Sequence, residues 1–172
     1  THIIIDNLHF KDYLQIEYNI DPVLAEYGGD HAIKFDIDDS LVNKYSFLNE
    51  PYDLSVSRAQ EDMNSHLVLK AYESIPQRNL VVISNWNISE YGKNLYESYF
   101  KKFRNIILLN AIYDSVELNT IRSNCKIYLH THSLCGTAPS LVEAMSLGLA
   151  VISFDVPTNR FSTENQALYF SN

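Results

Sequence analysis

The sequence predicts an α/β fold in which helices cover both faces of a parallel β-sheet. Two observations favour this fold class. Apolar runs of strand length recur along the chain, and several are almost continuous in Val, Ile and Leu, which is typical of strands buried on both faces of a sheet. Amphipathic stretches of helical length lie between these runs, so that strands and helices alternate from about residue 52 onward. This alternation is the pattern of a doubly wound sheet.

The strands are predicted from the positions of the apolar runs. They are residues 2–6, 22–27, 52–57, 80–84, 105–110, 126–130 and 149–155. In a doubly wound sheet, ligands bind beyond the carboxyl ends of the strands. We therefore expect a functional site among the loops that follow the last five strands, which are residues 55–62, 84–90, 110–114, 130–139 and 155–160.

The helices are predicted from apolar residues at helical spacing and from residues that suit helix ends. They are residues 8–19, 61–74, 89–103, 114–123 and 139–148. The second of them has an apolar face made of Met63, Leu67, Leu69, Ala71 and Tyr72. Asp114 suits the N-cap of the fourth helix, while Pro139 suits the first position of the fifth and Gly148 suits its C-terminal end.

Residues 1–50 fit the alternation less well than the rest of the chain. A strand, a helix and a second strand lead into a polar, irregular stretch that holds Asp36, Asp38 and Asp39. We expect residues 1–50 to be the end of a preceding domain and a crossover segment, and residues 51–172 to be a Rossmann-like ligand-binding domain. Because few residues follow the last apolar strand, we also expect the chain to be a piece of a larger protein.

Composition limits the classes of function. The 172 residues carry a net charge of −8, which argues against a broad nucleic-acid surface because such surfaces need clustered Lys and Arg. A small anionic ligand stays compatible with that charge, since one Arg and a helix N-terminus can hold a phosphate. No apolar run approaches the ~20 residues that span a bilayer. The two cysteines, Cys125 and Cys135, are too few for a disulfide framework, so we expect reduced thiols and a cytoplasmic location.

The most informative stretch is HTHSLCGTAPSLVEAMSLG, residues 130–148. An apolar strand ends here in His130 and His132, and a helix begins a few residues later. Gly136 allows the close approach of a ligand, and the unpaired N–H groups at the helix start form an anion site. Glu143, about one turn into the helix, suits hydrogen bonding to a sugar diol, although its position also suits a solvated helix residue.

Two other chemistries at this stretch are less well supported. Cys135 and His132 are the residue types of a nucleophile and its base, but no third, orienting group is marked. His130 and His132 have the spacing of a strand pair that binds a metal, yet no further ligand stands at a recognisable spacing. We therefore expect no metal, and we expect His130 to be buried and hydrogen-bonded.

The run HSLCGTAPSLVEAMSLGLAVISFD resembles the signature of the family-4 retaining glycosyltransferases, Glu-Gly-Phe-Gly-x-x-x-x-Glu-Ala-x-x-x-Gly-x-Pro-Val-Ile. The second glutamate of that signature, which in the family hydrogen-bonds the ribose of the donor nucleotide, falls on Glu143. The first glutamate, which approaches the donor sugar, falls on Cys135. The version found here is similar to a bacterial rhamnosyltransferase-like subgroup, in which the first glutamate is also absent. The residues that match this version are His132, Gly136, Thr137, Pro139, Ser140, Glu143, Asn159 and Arg160.

The resemblance extends upstream of this run. YDLSVSRAQEDM is similar to the segment in which an arginine and a lysine hold the donor diphosphate; it supplies Arg58 but has Met63 in place of the lysine. NWNISEYGKNLYESY places Asn85 near the phosphates in the family's arrangement. NAIYDSVELNTIRSNCKIYLH is similar to the segment whose backbone lines the nucleobase, here at Ala111, Ile112 and Tyr113. Arg58 also suits a surface loop, and Tyr113 suits an ordinary core or rim position.

The resemblance implies a GT-B enzyme in which this chain is the C-terminal, donor-binding half, with residues 1–50 as the end of the acceptor half and the crossover. It implies retaining transfer from a nucleotide-sugar, with dTDP-rhamnose as the subgroup's donor, to a glycan or lipid-linked acceptor. The implied catalytic residues are Arg58, His132 and Glu143. The implied donor-binding residues are Asn85, Ala111, Ile112, Tyr113, Gly136, Thr137, Ser140 and Glu143. No metal or other cofactor is expected, and the full-length protein is expected in the cytoplasm, with peripheral association at the inner face of the cell membrane.

Two other classes of function stay open. One is a nucleotide-sugar 2-epimerase-like enzyme on the same architecture, which would make a new sugar isomer without any acceptor. The other is a non-catalytic module, either a sugar-nucleotide sensor or a receiver-like signalling domain. A receiver needs its acidic cluster after a buried strand, whereas Asp36, Asp38 and Asp39 lie in a polar crossover and suit a solvated loop. We expect the isolated chain to bind a nucleotide weakly and to have little transferase activity.

Overall fold

The computed structural model describes residues 2–171, so that Thr1 and Asn172, at the outer ends of the two predicted regions, lie outside the described residues. The strands are β1 (Ile4–Ile5), β2 (Val23–Leu24), β3 (Tyr52–Val56), β4 (Asn79–Ser84), β5 (Ile106–Asn110), β6 (Ile127–His130), β7 (Ala150–Phe154) and β8 (Leu168–Phe170). The helices are α1 (Phe10–Tyr18), α2 (Asp39–Lys44), α3 (Ser65–Glu73), α4 (Glu90–Tyr99), α5 (Ser115–Ser123), α6 (Pro139–Ser146) and α7 (Pro157–Ser162). None of the helices within residues 2–171 has the length and apolar character needed to cross a membrane.

Strands β3 to β8 form one parallel sheet in the order β5-β4-β3-β6-β7-β8, and β1 and β2 form a separate parallel pair. The chain builds the larger sheet outward from β3 to β5, and then returns to β6 beside β3 and builds in the opposite direction. The strand order therefore reverses between β3 and β6. In open α/β sheets, this reversal creates a crevice at the carboxyl ends of the strands. The predicted fold class is confirmed.

The core lies on both faces of this sheet because successive side chains of each strand point to opposite faces. On one face, Leu80 and Val82 of β4 pack with residues of α3 and with Trp86. On the other face, Val81 of the same strand packs with Leu54 of β3 and with residues of α5 and α6. The near-continuous apolar runs in the sequence therefore reflect strands that are covered on both sides.

All seven predicted strands and all five predicted helices are present, with shorter bounds except in β4, which begins one residue earlier than predicted. The start of the helix predicted over residues 61–74 differs most. This stretch begins with a 3-10 turn, Glu61–Met63, followed by Asn64 at φ 50°, so that α3 starts only at Ser65. This offset changes the buried face: Val68 is buried, whereas Ala71, which was predicted on that face, is exposed.

Three elements are missing from the sequence prediction. Asp38 lies in the acidic stretch that was expected to be a solvated loop, but its carboxylate accepts a hydrogen bond from the Leu41 N–H at 2.8 Å and caps the N-terminus of α2. The loop expected at 155–160 contains most of α7, which begins at Pro157. Strand β8 pairs with β7 at the edge of the sheet.

Candidate functional site

A cavity of about 380 Å³ opens at the carboxyl ends of the strands on both sides of the reversal in strand order. It collects residues from the loops after β3, β4, β5 and β6 and from the start of α6. Eight of the predicted site residues line it: Arg58, Asn85, Ala111, Ile112, Tyr113, His132, Ser140 and Glu143. A larger cavity of about 510 Å³ lies beside residues 111–113. It lacks Arg58 and Glu143, so we place the candidate site in the smaller one.

Arg58 follows β3 and supplies positive charge to the cavity. It is exposed and makes no ion pair within the part of the chain that the structure describes. Asn85, which follows β4, accepts a hydrogen bond from the Ala59 N–H at 2.9 Å and so holds the turn that carries Arg58. Met63, at the position where the similar family has a lysine, is 2% exposed. The buried Met63 side chain therefore replaces the family's second diphosphate-binding cation with an apolar group.

Glu143 is held by two side chains that the sequence argument did not identify. One carboxylate oxygen lies 2.6 Å from the guanidinium of Arg122, and the other lies 3.0 Å from Nε2 of His31. Arg122 is itself almost fully buried and also donates to Oδ1 of Asn119 at 2.8 Å. These contacts exclude the alternative that Glu143 is a solvated helix residue. No signal for Arg122 or His31 was present in the local sequence, because both lie far from Glu143 along the chain.

Residues 111–113 form the short connection between β5 and α5. Its end is fixed because Asp114 accepts a hydrogen bond from the Glu117 N–H at 2.9 Å and caps α5. Tyr113 is 90% exposed, which excludes a position in the core. The backbone and the exposed ring therefore lie at the edge of the cavity.

Gly136 and Thr137 do not line this cavity, although they were predicted as donor-binding residues. The Thr137 hydroxyl donates to the backbone carbonyl of Asp6 at 2.5 Å and accepts from the side-chain amide of Asn7 at 3.1 Å. The carboxylate of Asp6 lies so close to Gly136 that a Cβ at this position would collide with it. Gly136 therefore makes room for the N-terminal segment. Ser140, at the start of α6, does line the cavity.

His130, His132 and Cys135 lie together beside the cavity. The two imidazole rings have centroids 4.2 Å apart. His130 is buried, as predicted, and neither of its ring nitrogens lies within full hydrogen-bond geometry of a partner among the described residues. Potential ligand atoms of all three side chains lie within 4.8 Å of one another. The fold thus brings Cys135 to the histidine pair, which corrects the view that the pair has no third ligand nearby.

The protonation states argue against a Cys135–His132 nucleophile. Burial, together with the negative charges of Asp6 and Asp62, raises the pKa of the Cys135 thiol to about 11. Burial also lowers the pKa of His132 to about 4. At neutral pH the pair is therefore a thiol and a neutral imidazole, whereas the nucleophilic form of cysteine is the thiolate. The Cys135 thiol lies 3.6 Å from Oδ1 of Asn159, to which it donates.

Comparison with solved structures shows the same fold in several glycosyltransferases. A glycosyltransferase from Rickettsia africae ESF-5 superposes with a TM-score of 0.77 at 15% identity, covering 98% of this chain and 48% of that one. A sucrose-phosphate synthase from Thermosynechococcus elongatus gives 0.73 at 17% identity, covering 96% of this chain and 44% of that one. HepE from Anabaena, solved with UDP-glucose, gives 0.73 at 12% identity and covers 99% of this chain and 50% of that one. The chain thus spans about half the length of these structures.

The sequence itself also matches a family model. Comparison with curated proteins gives no match. Residues 38–166, well over half of the chain, match the model described as "Glycosyl transferases group 1". The matched region contains the six-stranded sheet almost to its last strand and every predicted residue that lines the cavity. This chain therefore belongs to the group 1 glycosyltransferases, and it has the Rossmann-like fold of the C-terminal half of GT-B enzymes.

Proposed function

We propose that this chain binds the nucleotide-sugar donor of a retaining glycosyltransferase. The observation that carries the proposal is the cavity at the reversal in strand order, which combines the exposed Arg58 with the fixed carboxylate of Glu143. A nucleotide-sugar needs both kinds of group, because its diphosphate is anionic and its ribose offers hydroxyl donors. Membership of the group 1 glycosyltransferases supports the same assignment.

The proposed roles follow from the positions of the residues. Arg58 and the start of α6 at Ser140 meet the charge that develops on the leaving diphosphate. Glu143 accepts hydrogen bonds from the ribose, and residues 111–113 flank the nucleobase with their backbone. His132, which is neutral at pH 7 because burial lowers its pKa to about 4, lies at the donor sugar. No metal ion is proposed to take part in the transfer step itself.

We propose that the acceptor binds to a domain outside this chain. Residues 51–172 bind the donor, and residues 1–50 are the crossover from an acceptor-binding domain. The acceptor is a glycan or a lipid-linked saccharide, which would bring the full-length protein to the inner face of the cell membrane. The isolated chain would then bind the donor weakly and turn over little. Turnover by the 172 residues at the rate of a longer form would contradict this division.

The donor is proposed to be dTDP-rhamnose, on the resemblance of the 130–148 stretch to the rhamnosyltransferase-like subgroup. UDP-glucose is the ligand of HepE and therefore provides the comparison in a donor screen. A thermal-shift screen of dTDP-, UDP- and GDP-sugars would rank the donors. Stabilisation by dTDP-rhamnose above UDP-glucose supports the proposed donor, whereas the reverse order replaces it and leaves the proposed site intact.

Calorimetry of nucleotide binding tests the site itself. We expect Arg58→Ala and Glu143→Gln each to weaken nucleoside diphosphate binding by at least about tenfold, since hydrogen bonds to charged groups contribute about 1.5–3 kcal/mol. Arg104→Ala and Glu97→Gln are matched controls, because both residues are exposed and neither lines the cavity. Absence of binding across the whole panel, or equal losses in the control variants, would overturn the proposal.

A second candidate is a non-catalytic sugar-nucleotide sensor. It is favoured by the two departures from the family pattern, the buried Met63 and the cysteine at position 135. A sensor binds the nucleotide-sugar but does not consume it in the presence of any acceptor. Incubation of the full-length protein with donor and with a panel of acceptors separates the two, and incubation without acceptor identifies a 2-epimerase by its new sugar isomer.

A further inference from the structure

Buried nitrogen atoms without a partner mark a second site beside the donor cavity. His130 is 1% exposed, and neither of its ring nitrogens has a hydrogen-bond partner among residues 2–171. Nε2 of His132 is also buried and without a partner. Asn159, the neighbouring polar side chain, uses its amide group on the backbone carbonyls of His132 and Phe154. Buried polar groups in proteins are nearly always satisfied, so these three nitrogens call for a ligand.

The geometry supplies a third ligand atom at the same place. His130 ends β6, His132 follows two residues later on the same face, and the loop then returns so that Cys135 lies next to both. Their potential ligand atoms lie within 4.8 Å of one another. Ligands of a tetrahedral zinc ion are separated by about 3.5 Å, given bonds of about 2.0–2.3 Å. The difference is small enough to be closed by rotation of the side chains.

The chemistry of the three side chains selects the ion. Two imidazoles and one thiolate are the donor set of zinc and related first-row metals, whereas Mg²⁺ and Ca²⁺ prefer oxygen ligands. Negative charge is also present, because the carboxylate of Asp6 lies against Gly136, the residue that follows Cys135. We propose that His130, His132 and Cys135 bind one zinc ion, with the fourth position open to water or to an exogenous ligand.

This ion would fasten the end of β6 to the loop that leads into α6. That loop carries His132 into the wall of the donor cavity. The ion therefore acts as a local cross-link, and the charge of a bound diphosphate is still met by Arg58. The zinc site depends on the three side chains alone and would stand even if the cavity bound a different class of ligand.

Cobalt(II) titration tests the site, because tetrahedral Co²⁺ with a thiolate ligand gives a charge-transfer band in the near ultraviolet. The 172-residue chain is first stripped with a chelator and then titrated under reducing conditions. We expect the band to saturate at one equivalent of Co²⁺ and to disappear when Zn²⁺ is added. We also expect Zn²⁺ to raise the melting temperature of the stripped protein.

Variants at the two cysteines identify the ligand. Cys135→Ser should remove the band and weaken Zn²⁺ binding by at least about 100-fold, since even indirect partners of a metal contribute 10- to 100-fold. Cys125→Ala is the matched control, because Cys125 is buried outside the cluster, and this variant should keep the band. His132→Gln should weaken Zn²⁺ binding while its circular dichroism confirms the fold. Absence of the band in the native chain, its survival in Cys135→Ser, or its loss from folded Cys125→Ala would overturn the proposal.

Discussion

The six-stranded sheet and the N-terminal region, residues 2–50, are stabilised in different ways. The sheet has apolar residues packed on both faces, and Leu54 in its central strand β3 is completely buried. In the N-terminal region, by contrast, β1 and β2 have two residues each, and α1 has no buried residue. Ile16 on that helix is 79% exposed. Residues 2–35 therefore gain little from the hydrophobic effect of their own side chains, whereas Leu41, Phe47 and Leu48, in the last part of the region, pack against the core of the sheet.

Polar contacts with the sheet domain hold residues 2–35 of this region in place. Asn7 donates to the Thr158 carbonyl at 3.0 Å, and His31 contacts Glu143. The carbonyl of Phe35 accepts a hydrogen bond from the side chain of Asn124 at 3.0 Å. The contact of His31 ends at Glu143, which lines the candidate site, so the N-terminal region contributes to the surroundings of that site. The stability of the N-terminal region therefore depends on the sheet domain, whereas the sheet domain has a hydrophobic core of its own.

The largest expected effect comes from the core of the sheet. Leu54→Ala should lower the free energy of unfolding by about 3 kcal/mol, because it removes buried methyl groups and leaves a cavity. Ile16→Ala is the matched control in the N-terminal region and should change stability by no more than about 0.5 kcal/mol. Urea denaturation of both variants, followed by circular dichroism, measures the difference. Equal losses would show that α1 is packed in solution and that the comparison is wrong.

Removal of Arg122 should have the next largest effect. Arg122→Met leaves Glu143 without its buried partner, and loss of one member of such a pair costs about 3 kcal/mol when both are buried. We expect about 2 kcal/mol here, because the Glu143 side chain is still 20% exposed. Nucleotide affinity should fall together with stability, since Arg122 positions the carboxylate for the ribose.

A double-mutant cycle separates the pair from its surroundings. Adding Glu143→Gln to Arg122→Met should recover part of the lost stability, because the unpaired carboxylate is then neutral. Arg104→Met is the control for loss of an exposed arginine and should be almost neutral. Strict additivity of the two substitutions would mean that the pair is not coupled in solution.

The fold could be predicted from the sequence because it rests on local patterns. Apolar runs such as LVVIS at 80–84 specify buried strands, and Asp114 marks the helix start that the structure shows. Strand β8 and helix α7 escaped prediction because they are short: β8 has three residues and α7 has six. Short elements at the edge of a sheet depend on their neighbours more than on their own sequence.

The cavity was predicted only in part. The loops that follow parallel strands must meet at one edge of the sheet, so Arg58, Asn85 and Glu143 were placed correctly together. The partners of Glu143 were missed because Arg122 and His31 lie far away in sequence. Gly136 was assigned to the ligand for its conformational freedom, but the structure shows that it accommodates Asp6. Long-range partners of this kind have no signature in local sequence.

Removal of the Asn7 side chain should have the next largest effect on stability, after the substitutions of Leu54 and Arg122. Its side chain is 1% exposed and bonds to Thr137, Thr158 and Ser162, so Asn7→Ala leaves buried groups without a partner at a cost of about 1–2 kcal/mol. We expect the loss to be local. Hydrogen exchange should speed up in residues 2–24 while the amides of the six-stranded sheet stay protected. Asn87→Ala, at an exposed position, is the control. Uniform loss of protection in the sheet as well would show that the two regions unfold together.

The smallest effect is expected at Lys44, where an exposed side chain joins the N-terminal region to the sheet domain. Its ammonium lies 2.7 Å from a carboxylate oxygen of Glu117, and Tyr45 donates to the other oxygen at 2.6 Å. These hydrogen bonds, that of Lys44 foremost, lower the pKa of Glu117 below its ordinary value of 4.5. A carboxyl whose pKa is lowered on folding stabilises the protein above its unfolded pKa, and this stabilisation is lost as the pH falls through the folded pKa.

Lys44→Met should therefore lower the free energy of unfolding slightly at pH 7, and the difference between this variant and the native chain should shrink below pH 4.5. Lys102→Met, at an exposed position without an ion pair among the described residues, is the control for loss of a positive charge. Urea denaturation from pH 3 to pH 7 measures both variants. A difference that does not depend on pH would assign the effect of Lys44 to packing and not to its ion pair with Glu117.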